Sequence, residues 1–195
     1  MAKILKSNTF VIFILFWALS FGACSTDFTP KPKAYFRIDF PERNYQRFDS
    51  LCPYVFDFPA YSSIEEPKNT DYCWKNIYFK SFNARIYLSY KTISISDSLY
   101  KFIEDSHTLA YKHSIKADAI SEQIFINNEK KAYGILYEIK GNAATPLQFH
   151  ITDSAKNFLR GSLYFNNVPN KDSLAPVIDF LKTDIVHLME TLEWK

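Results

Sequence analysis

The sequence predicts an α+β domain in which a mainly antiparallel β-sheet carries two packed helices. In the first half of the chain, apolar and polar side chains alternate, which is the period of half-buried strands. At Ser96 the period changes to that of a helix, and four more strand-like segments then precede a long closing helix. The predicted order of elements is therefore ββββ-α-ββββ-α.

The first 23 residues have the parts of a secretory signal peptide. Lys3 and Lys6 form a basic start, ten apolar residues follow from Phe10 to Leu19, and small residues lead to Cys24. The apolar run is shorter than the roughly 20 residues that a membrane-spanning helix needs. We therefore predict that residues 1–23 are a cleaved export signal.

Gly22, Ala23 and Cys24 have the small-small-Cys form of a bacterial lipobox, in which the cysteine is lipidated and becomes the first mature residue. The alternative is an ordinary signal peptide cut near Ala23. Residues 24–33 contain prolines among threonine and lysine, which predicts an extended tether. A single globular domain is expected over residues 34–195, held on a membrane by the lipid.

The two remaining cysteines, Cys52 and Cys73, are predicted to form a disulfide, because thiols in an exported domain usually pair. Closing this loop would stabilise the fold by roughly 3 kcal/mol in the chain-entropy model. Two buried free thiols are the alternative. A metal site is disfavoured, since neither cysteine lies in a C-x-x-C pair or near a histidine.

The alternating pattern of the first half predicts strands at residues 35–40, 54–58, 76–82 and 85–90. Proline ends each of the first two strands, and the last two form a hairpin that turns near Asn83.

A helix is predicted from Ser96, its N-cap, to about Lys112, with Asp97 near the positive helix end. Strands follow at residues 121–127, 132–139, 147–152 and 158–165. Asp172 and Ser173 are expected to cap the closing helix, which tolerates Pro176 in its first turn. A PsbP-like sandwich is one α+β fold with two helices packed on such a sheet.

Charge and composition exclude several classes of function. From Cys24 onward the chain carries 21 basic and 21 acidic side chains, because both signal-peptide lysines are subtracted from the formal net charge of +2. Nucleic acid is therefore not an expected partner. With four glycines in the chain, a glycine-rich nucleotide loop is very unlikely.

The richest polar segment is QFHITDS at residues 148–154. Strand alternation places Gln148, His150 and Thr152 on one face, and we predict that this face meets solvent or a partner protein, which makes it the candidate interaction surface. A hydrolase triad could be drawn from His150, Asp153 and Ser154. However, the chain has no G-x-S-x-G elbow, and residues so close together at a strand end rarely meet in triad geometry.

No metal ligand, cofactor or small-molecule substrate is predicted. His107 and His113 lie six residues apart on the predicted helix, so they point to different faces and cannot share a metal. Four tyrosines could face outward from strands and stack on sugar rings: Tyr35, Tyr78, Tyr87 and Tyr164. Aromatic residues at alternating strand positions, however, more often belong to the core.

A family resemblance is carried by eight segments spread in order over the mature chain: TPKPKAYFRIDFP from Thr29, CPYVFDFPAY from Cys52, Cys73-Trp74, LSYK from Leu88, KHSIKA from Lys112, QFHITDS from Gln148, FLRGSLYF from Phe158 and DSLAPVIDFL from Asp172. In this combination the chain resembles the gliding motility lipoprotein family GldD of Bacteroidetes.

The resemblance implies a cell-envelope lipoprotein that is required for gliding motility and supports the gliding and type IX secretion machinery through protein interactions. It brings no catalytic residues, so the chain is not expected to be an enzyme. The tether carries one acidic residue, Asp27, and therefore lacks the acidic run that would signal export to the cell surface. The domain is accordingly expected to face the periplasm. The alternative is a periplasmic glycan-binding or hydrolytic domain that uses His150 and the tyrosines.

Overall fold

The computed structural model describes residues 37–68, 70–94, 98–112, 116–168 and 170–195. The predicted signal peptide, Cys24 and the tether lie outside these ranges, as do Ser96, Asp97 and His113. No helix within the described ranges is long and apolar enough to cross a membrane.

Five strands come first: β1 (Tyr45–Phe48), β2 (Tyr54–Pro59), β3 (Ser63–Glu65), β4 (Lys75–Phe79) and β5 (Ala84–Thr92). The first helix, α1 (Leu99–Tyr111), follows them. Four strands, the second helix and a short strand follow: β6 (Ala117–Asn127), β7 (Ala132–Gly141), β8 (Leu147–Thr152), β9 (Asn157–Phe165), α2 (Lys171–Thr191) and β10 (Glu193–Trp194). Neighbouring strands pair in antiparallel fashion, which confirms the predicted α+β class.

The strands form two sheets. The larger has seven strands in the order β3-β4-β5-β9-β8-β7-β6, and the smaller has the order β1-β2-β10. Helix α2 and strand β2 pack on one face of the large sheet, where Phe56, Phe149 and Leu181 share one apolar core. Helix α1 lies on the other face, where the ring of Phe102 stacks on that of Phe158, with centroids 5.4 Å apart. The central strands are therefore covered on both sides.

Close approach of β8 and β9 requires a glycine. Gly161 pairs with Phe149 across these strands, and a Cβ atom at position 161 would overlap the Phe149 ring. Phe149 is itself buried in the core between the large sheet and α2. The missing side chain at Gly161 thus provides the space for an aromatic ring at the centre of the molecule.

The hairpin of β4 and β5, strand β2 and strands β6 to β9 confirm their predicted positions within a few residues. The strand predicted at 35–40 is wrong for residues 37–40, which are irregular, while residues 35 and 36 lie outside the described ranges. Phe40 instead stacks on Phe180 of α2, with ring centroids 4.4 Å apart. Side-chain packing of this segment replaces strand pairing.

The predicted N-caps of both helices are also corrected. The N-cap of α1 is Ser98 and not Ser96. Helix α2 begins after Asn170, whose side-chain oxygen accepts a hydrogen bond from the Ser173 backbone nitrogen at 3.2 Å. Asp172 lies in the first turn, where a negative charge is favourable. Because the helix begins at Lys171, Pro176 is its sixth residue and lies in the second turn, so its predicted place in the first turn is wrong.

Cys52 and Cys73 are joined by a disulfide, with their Cα atoms 5.4 Å apart. Cys52 precedes β2 of the small sheet, and Cys73 precedes β4 of the large sheet. Next to this bond, the buried Tyr54 hydroxyl donates to the Cys73 carbonyl at 2.7 Å. A covalent bond and a hydrogen bond therefore connect the two sheets at the same point.

Burial raises the pKa of the Tyr54 hydroxyl above its ordinary value of 10.0, and the nearby Tyr90 adds to this effect. Since the folded state holds this proton more tightly, its contribution to stability is fully present below pH 10 and is lost as pH rises further. We expect Tyr54→Phe to lower the unfolding free energy by about 1 kcal/mol at neutral pH, through the lost hydrogen bond.

The same substitution should make the alkaline decline shallower, by up to about 1.4 kcal/mol per pH unit. Urea unfolding at a series of pH values from neutral to alkaline measures both effects. Tyr100→Phe, at an exposed position on α1, is the matched control and should change neither. An alkaline decline as steep in Tyr54→Phe as in the parent would contradict the assignment.

Candidate functional site

The predicted interaction surface on β8 is buried. Gln148, His150 and Thr152 are 1%, 2% and 4% exposed, so the prediction that this face meets solvent is wrong. The His150 ring stacks on Phe158 at 5.5 Å, and Phe158 stacks in turn on Phe102 of α1. The first helix therefore covers the face that the alternating pattern assigned to solvent.

Burial also determines the protonation of His150. Loss of solvent, followed by the positive charge of Arg160, lowers the pKa of His150 to about 4. The imidazole is thus neutral at physiological pH, and its Nδ1 atom has no hydrogen-bond partner among the described residues. Gln148 has a partner for one atom, since its side-chain oxygen accepts a hydrogen bond from the Arg160 guanidinium.

The hydrolase triad considered from the sequence, His150, Asp153 and Ser154, is not formed in the described structure. Asp153 accepts hydrogen bonds from the backbone nitrogens of Ala155, Lys156 and Asn157 at 2.8–2.9 Å. Although partial burial opposes the effect, these donors hold the pKa of the Asp153 carboxyl below its usual range. Ser154 has a positive φ of 63° in the same turn. Asp153 therefore organises the turn between β8 and β9 and does not orient His150.

An open cleft of about 670 Å³ lies on the same face of the large sheet, over β4, β5 and β9. Its floor includes Arg160 and Ser162 of β9, which stand opposite His150 and Gln148 in the strand register. Aromatic side chains form its walls: Trp74, Tyr87 and Tyr164. The described residues of α1 do not line the cleft, which therefore occupies the part of the face that the helix leaves open.

Polar groups in and beside this cleft lack partners. Within the described ranges, no carboxylate lies within ion-pair distance of Arg160, and burial lowers the pKa of its guanidinium. Among the described residues, the Ser162 hydroxyl and the Gln148 side-chain nitrogen are both buried without a hydrogen-bond partner. Buried polar groups in proteins are normally satisfied, so two such groups beside an arginine without a counterion are unusual.

A second polar cluster surrounds Asp184 of α2. The buried carboxylate accepts a hydrogen bond from the Tyr45 hydroxyl at 2.9 Å and another from Tyr61. Arg43 lies 3.6 Å from the same carboxylate, and its guanidinium also packs over the Phe180 ring. His187 stacks on Tyr45 with ring centroids 3.7 Å apart. These contacts attach the segment around β1 to helix α2.

Burial raises the pKa of Asp184, although the two tyrosine hydroxyls and Arg43 oppose the shift. Loss of solvent and the hydrogen bond to Asp184 raise the pKa of Tyr45 to about 12. The sequence contains one signal for this cluster: Asp184 is an acidic residue inside the apolar stripe of the closing helix, between Leu181 and Leu188. Its partners lie more than a hundred residues earlier in the chain, so spacing alone could not identify them.

In the part of the chain that the structure describes, no group of three or more histidine, cysteine, aspartate or glutamate side chains could hold a metal ion. His107 lies on α1, where its ring stacks on Tyr111 and its Nε2 atom is 3.7 Å from Glu122. His113 lies outside the described residues.

A sheet-based α+β domain with a disulfide between its sheets belongs to the class of exported proteins. Residues 25–194 match the family model described as gliding motility lipoprotein GldD, and the chain belongs to that family. Membership confirms the family resemblance and implies a role in gliding motility and a lipid-anchored location in the cell envelope. No curated protein matches the chain.

We expect Asp184→Asn to lower the unfolding free energy by about 1–3 kcal/mol, because it removes the charge that Arg43 and two tyrosine hydroxyls surround. Asp179→Asn, at an exposed position of the same helix, is the matched control and should change stability by less than about 0.5 kcal/mol. Thermal and urea unfolding measure both. Equal losses of unfolding free energy in the two variants would contradict a stabilising role for the cluster around Asp184.

Proposed function

We propose that this chain supports the assembly or stability of the gliding and type IX secretion machinery through protein contacts, and that the edge of β6 is the contact surface. Its membership of the GldD family supports a role in gliding motility. The observation that carries the proposal is an unprotected strand at one end of the large sheet.

Strand β6 is eleven residues long and pairs only with β7 among the described strands. Natural proteins protect such edges with lysine, proline, bulges or very short strands. β6 contains no lysine or proline, and its bulge is confined to the start, between Ala117 and Ala119. Further along, Ile124 and Ile126 are 73% and 64% exposed. By contrast, β3 at the opposite edge has three residues.

The occupant that fits this edge is an extended segment of a partner envelope protein, added as a further strand. In such strand addition the backbone hydrogen bonds supply affinity, and alternate side chains supply specificity. Ile124 and Ile126 would contribute an apolar contact on one face. β6 carries two acidic and no basic side chains, so like-charge repulsion disfavours pairing with a second copy of this chain.

The proposal includes lipidation of Cys24, which would hold the domain on a membrane with the globular part in the periplasm. A lipid anchor at the end of a tether would keep the domain near membrane partners and raise their effective concentration. The Cys52–Cys73 disulfide supports an oxidising location. We propose binding rather than catalysis as the mode of action, in line with the neutral, buried His150 and with Asp153 engaged in its turn.

Ile124→Lys/Ile126→Lys should abolish gliding and reduce type IX secretion in cells that carry it in place of the parent gene, because it places charge on the apolar edge. Both positions are exposed, so protein level and thermal stability should remain normal. Tyr100→Lys, at an exposed position on α1, is the control and should leave motility intact.

A photo-crosslinking residue at position 124 identifies the occupant directly. We expect one larger adduct that contains another envelope protein and that is absent when the residue is placed at position 100. Normal gliding of the double lysine variant would contradict the proposal, and so would an adduct made only of two copies of this chain.

Cells grown with a clickable fatty acid should label the parent protein, and Cys24→Ser should lose the label because the acceptor thiol is gone. The Cys52→Ser/Cys73→Ser variant is the control for cysteine replacement and should keep the label. Detection by gel fluorescence after immunoprecipitation measures both. Label that persists in Cys24→Ser would exclude lipidation at this residue.

A further inference from the structure

We propose that the cleft over β4, β5 and β9 binds an acidic saccharide, meaning a sugar that carries a carboxylate. Arg160 would hold the carboxylate, the buried hydroxyl of Ser162 would bind a sugar oxygen, and the aromatic wall would pack on the ring. This site is distinct from the β6 edge and does not depend on the assembly role.

Arg160 is the residue that selects an anion. Its guanidinium lies on the cleft floor and, among the described residues, donates a hydrogen bond to the neutral side chain of Gln148. Other arginines of the domain have acidic partners, such as Arg85 with Glu65 and Arg47 with Glu193. A guanidinium that is partly buried without a counterion is stabilised by an incoming carboxylate, which it can bind through two parallel hydrogen bonds.

Ser162 supplies the second polar contact. Ser162 is 3% exposed and lines the cleft, yet its hydroxyl has no hydrogen-bond partner within the described ranges. The side-chain nitrogen of Gln148, directly opposite in the register, is also buried and has no partner in the same part of the chain. A buried polar group that is left unsatisfied lowers stability, so a ligand that provides hydrogen-bonding oxygens would recover part of this cost.

The aromatic wall favours a ring-shaped ligand. Tyr87 and Tyr164 meet edge to face, with ring centroids 5.5 Å apart. The indole nitrogen of Trp74 donates to the Tyr90 carbonyl at 3.0 Å, which holds that ring in place. The negative face of an aromatic ring attracts the C–H bonds on a sugar face. With a volume of about 670 Å³, the cleft lies in the size range of small-ligand sites.

The backbone of the floor disfavours an acidic peptide. Strands β4, β5 and β9 each have a neighbour on both sides, so their backbone groups are already used in the sheet. An extended peptide in this cleft would therefore find no free strand edge with which to pair. Recognition must come from side chains, here an arginine, small polar groups and aromatic rings, and this combination matches a saccharide.

The test is calorimetric titration of the full chain, purified in detergent, with uronic acid trisaccharides of several ring configurations and with their neutral counterparts. We expect at least one uronate to bind at least tenfold more tightly than its neutral counterpart. Arg160→Gln should weaken that binding about tenfold or more, as expected for the loss of a charged hydrogen bond. Arg47→Gln makes the same charge change on the small sheet and should have no effect.

Tyr87→Ala separates the ring contact from the charge. Tyr87 is 43% exposed at the cleft, so its removal should leave the fold intact while weakening both uronate and residual neutral binding. This variant tests whether the cleft binds the sugar even where Arg160→Gln fails to fold. The proposal is overturned if no uronate binds, if neutral and acidic sugars bind equally, if Tyr87→Ala binds as the parent does, or if a tripeptide with a free carboxylate binds more tightly than every uronate.

Discussion

Two-sided burial of the central strands is the constraint on which the rest of this molecule depends. Strand β8 is covered by α2 on one face and by α1 on the other, and all six of its residues are buried. Its polar side chains must therefore find partners inside the protein, which Gln148 achieves in part through Arg160. The same coverage leaves His150 neutral. The accessible surface on this face therefore lies away from β8, at the β4–β5–β9 cleft and at the β6 edge.

The long elements could be predicted from sequence because their periodicity is strong. Strands β6 to β9 have six to eleven residues, enough for a run of strand-forming side chains to be recognised, and α2 carries an apolar stripe along most of its length. Strands β1, β3 and β10 have two to four residues, too few for a period to emerge. The burial of the polar face of β8 could not be predicted, because alternating polarity distinguishes two faces without revealing that helix α1 covers the polar one. The cleft escaped prediction because its residues come from the β4–β5 hairpin and from β9, which lies far later in the sequence.

The small sheet is attached to the rest of the domain at both ends of β2. The disulfide lies just before β2, and Asp184 binds Tyr61 just after it. A sheet of three short strands is marginally stable alone, so these two attachments and the shared aromatic core position it on the large sheet. One attachment is covalent and the other depends on a buried charge, and the two therefore respond to different conditions.

The pairing of β2 with β10 has a consequence for the order in which the protein folds. Val55 of β2 lies opposite Glu193, and the Lys195 backbone nitrogen donates to the Pro53 carbonyl at 3.0 Å. Strand β2 thus acquires one of its two neighbours only after almost all of the following sequence has been synthesised. Contacts of such high sequence separation slow folding, since a long loop must close first. One edge of β2 consequently stays unpaired until the last residues of the chain are available.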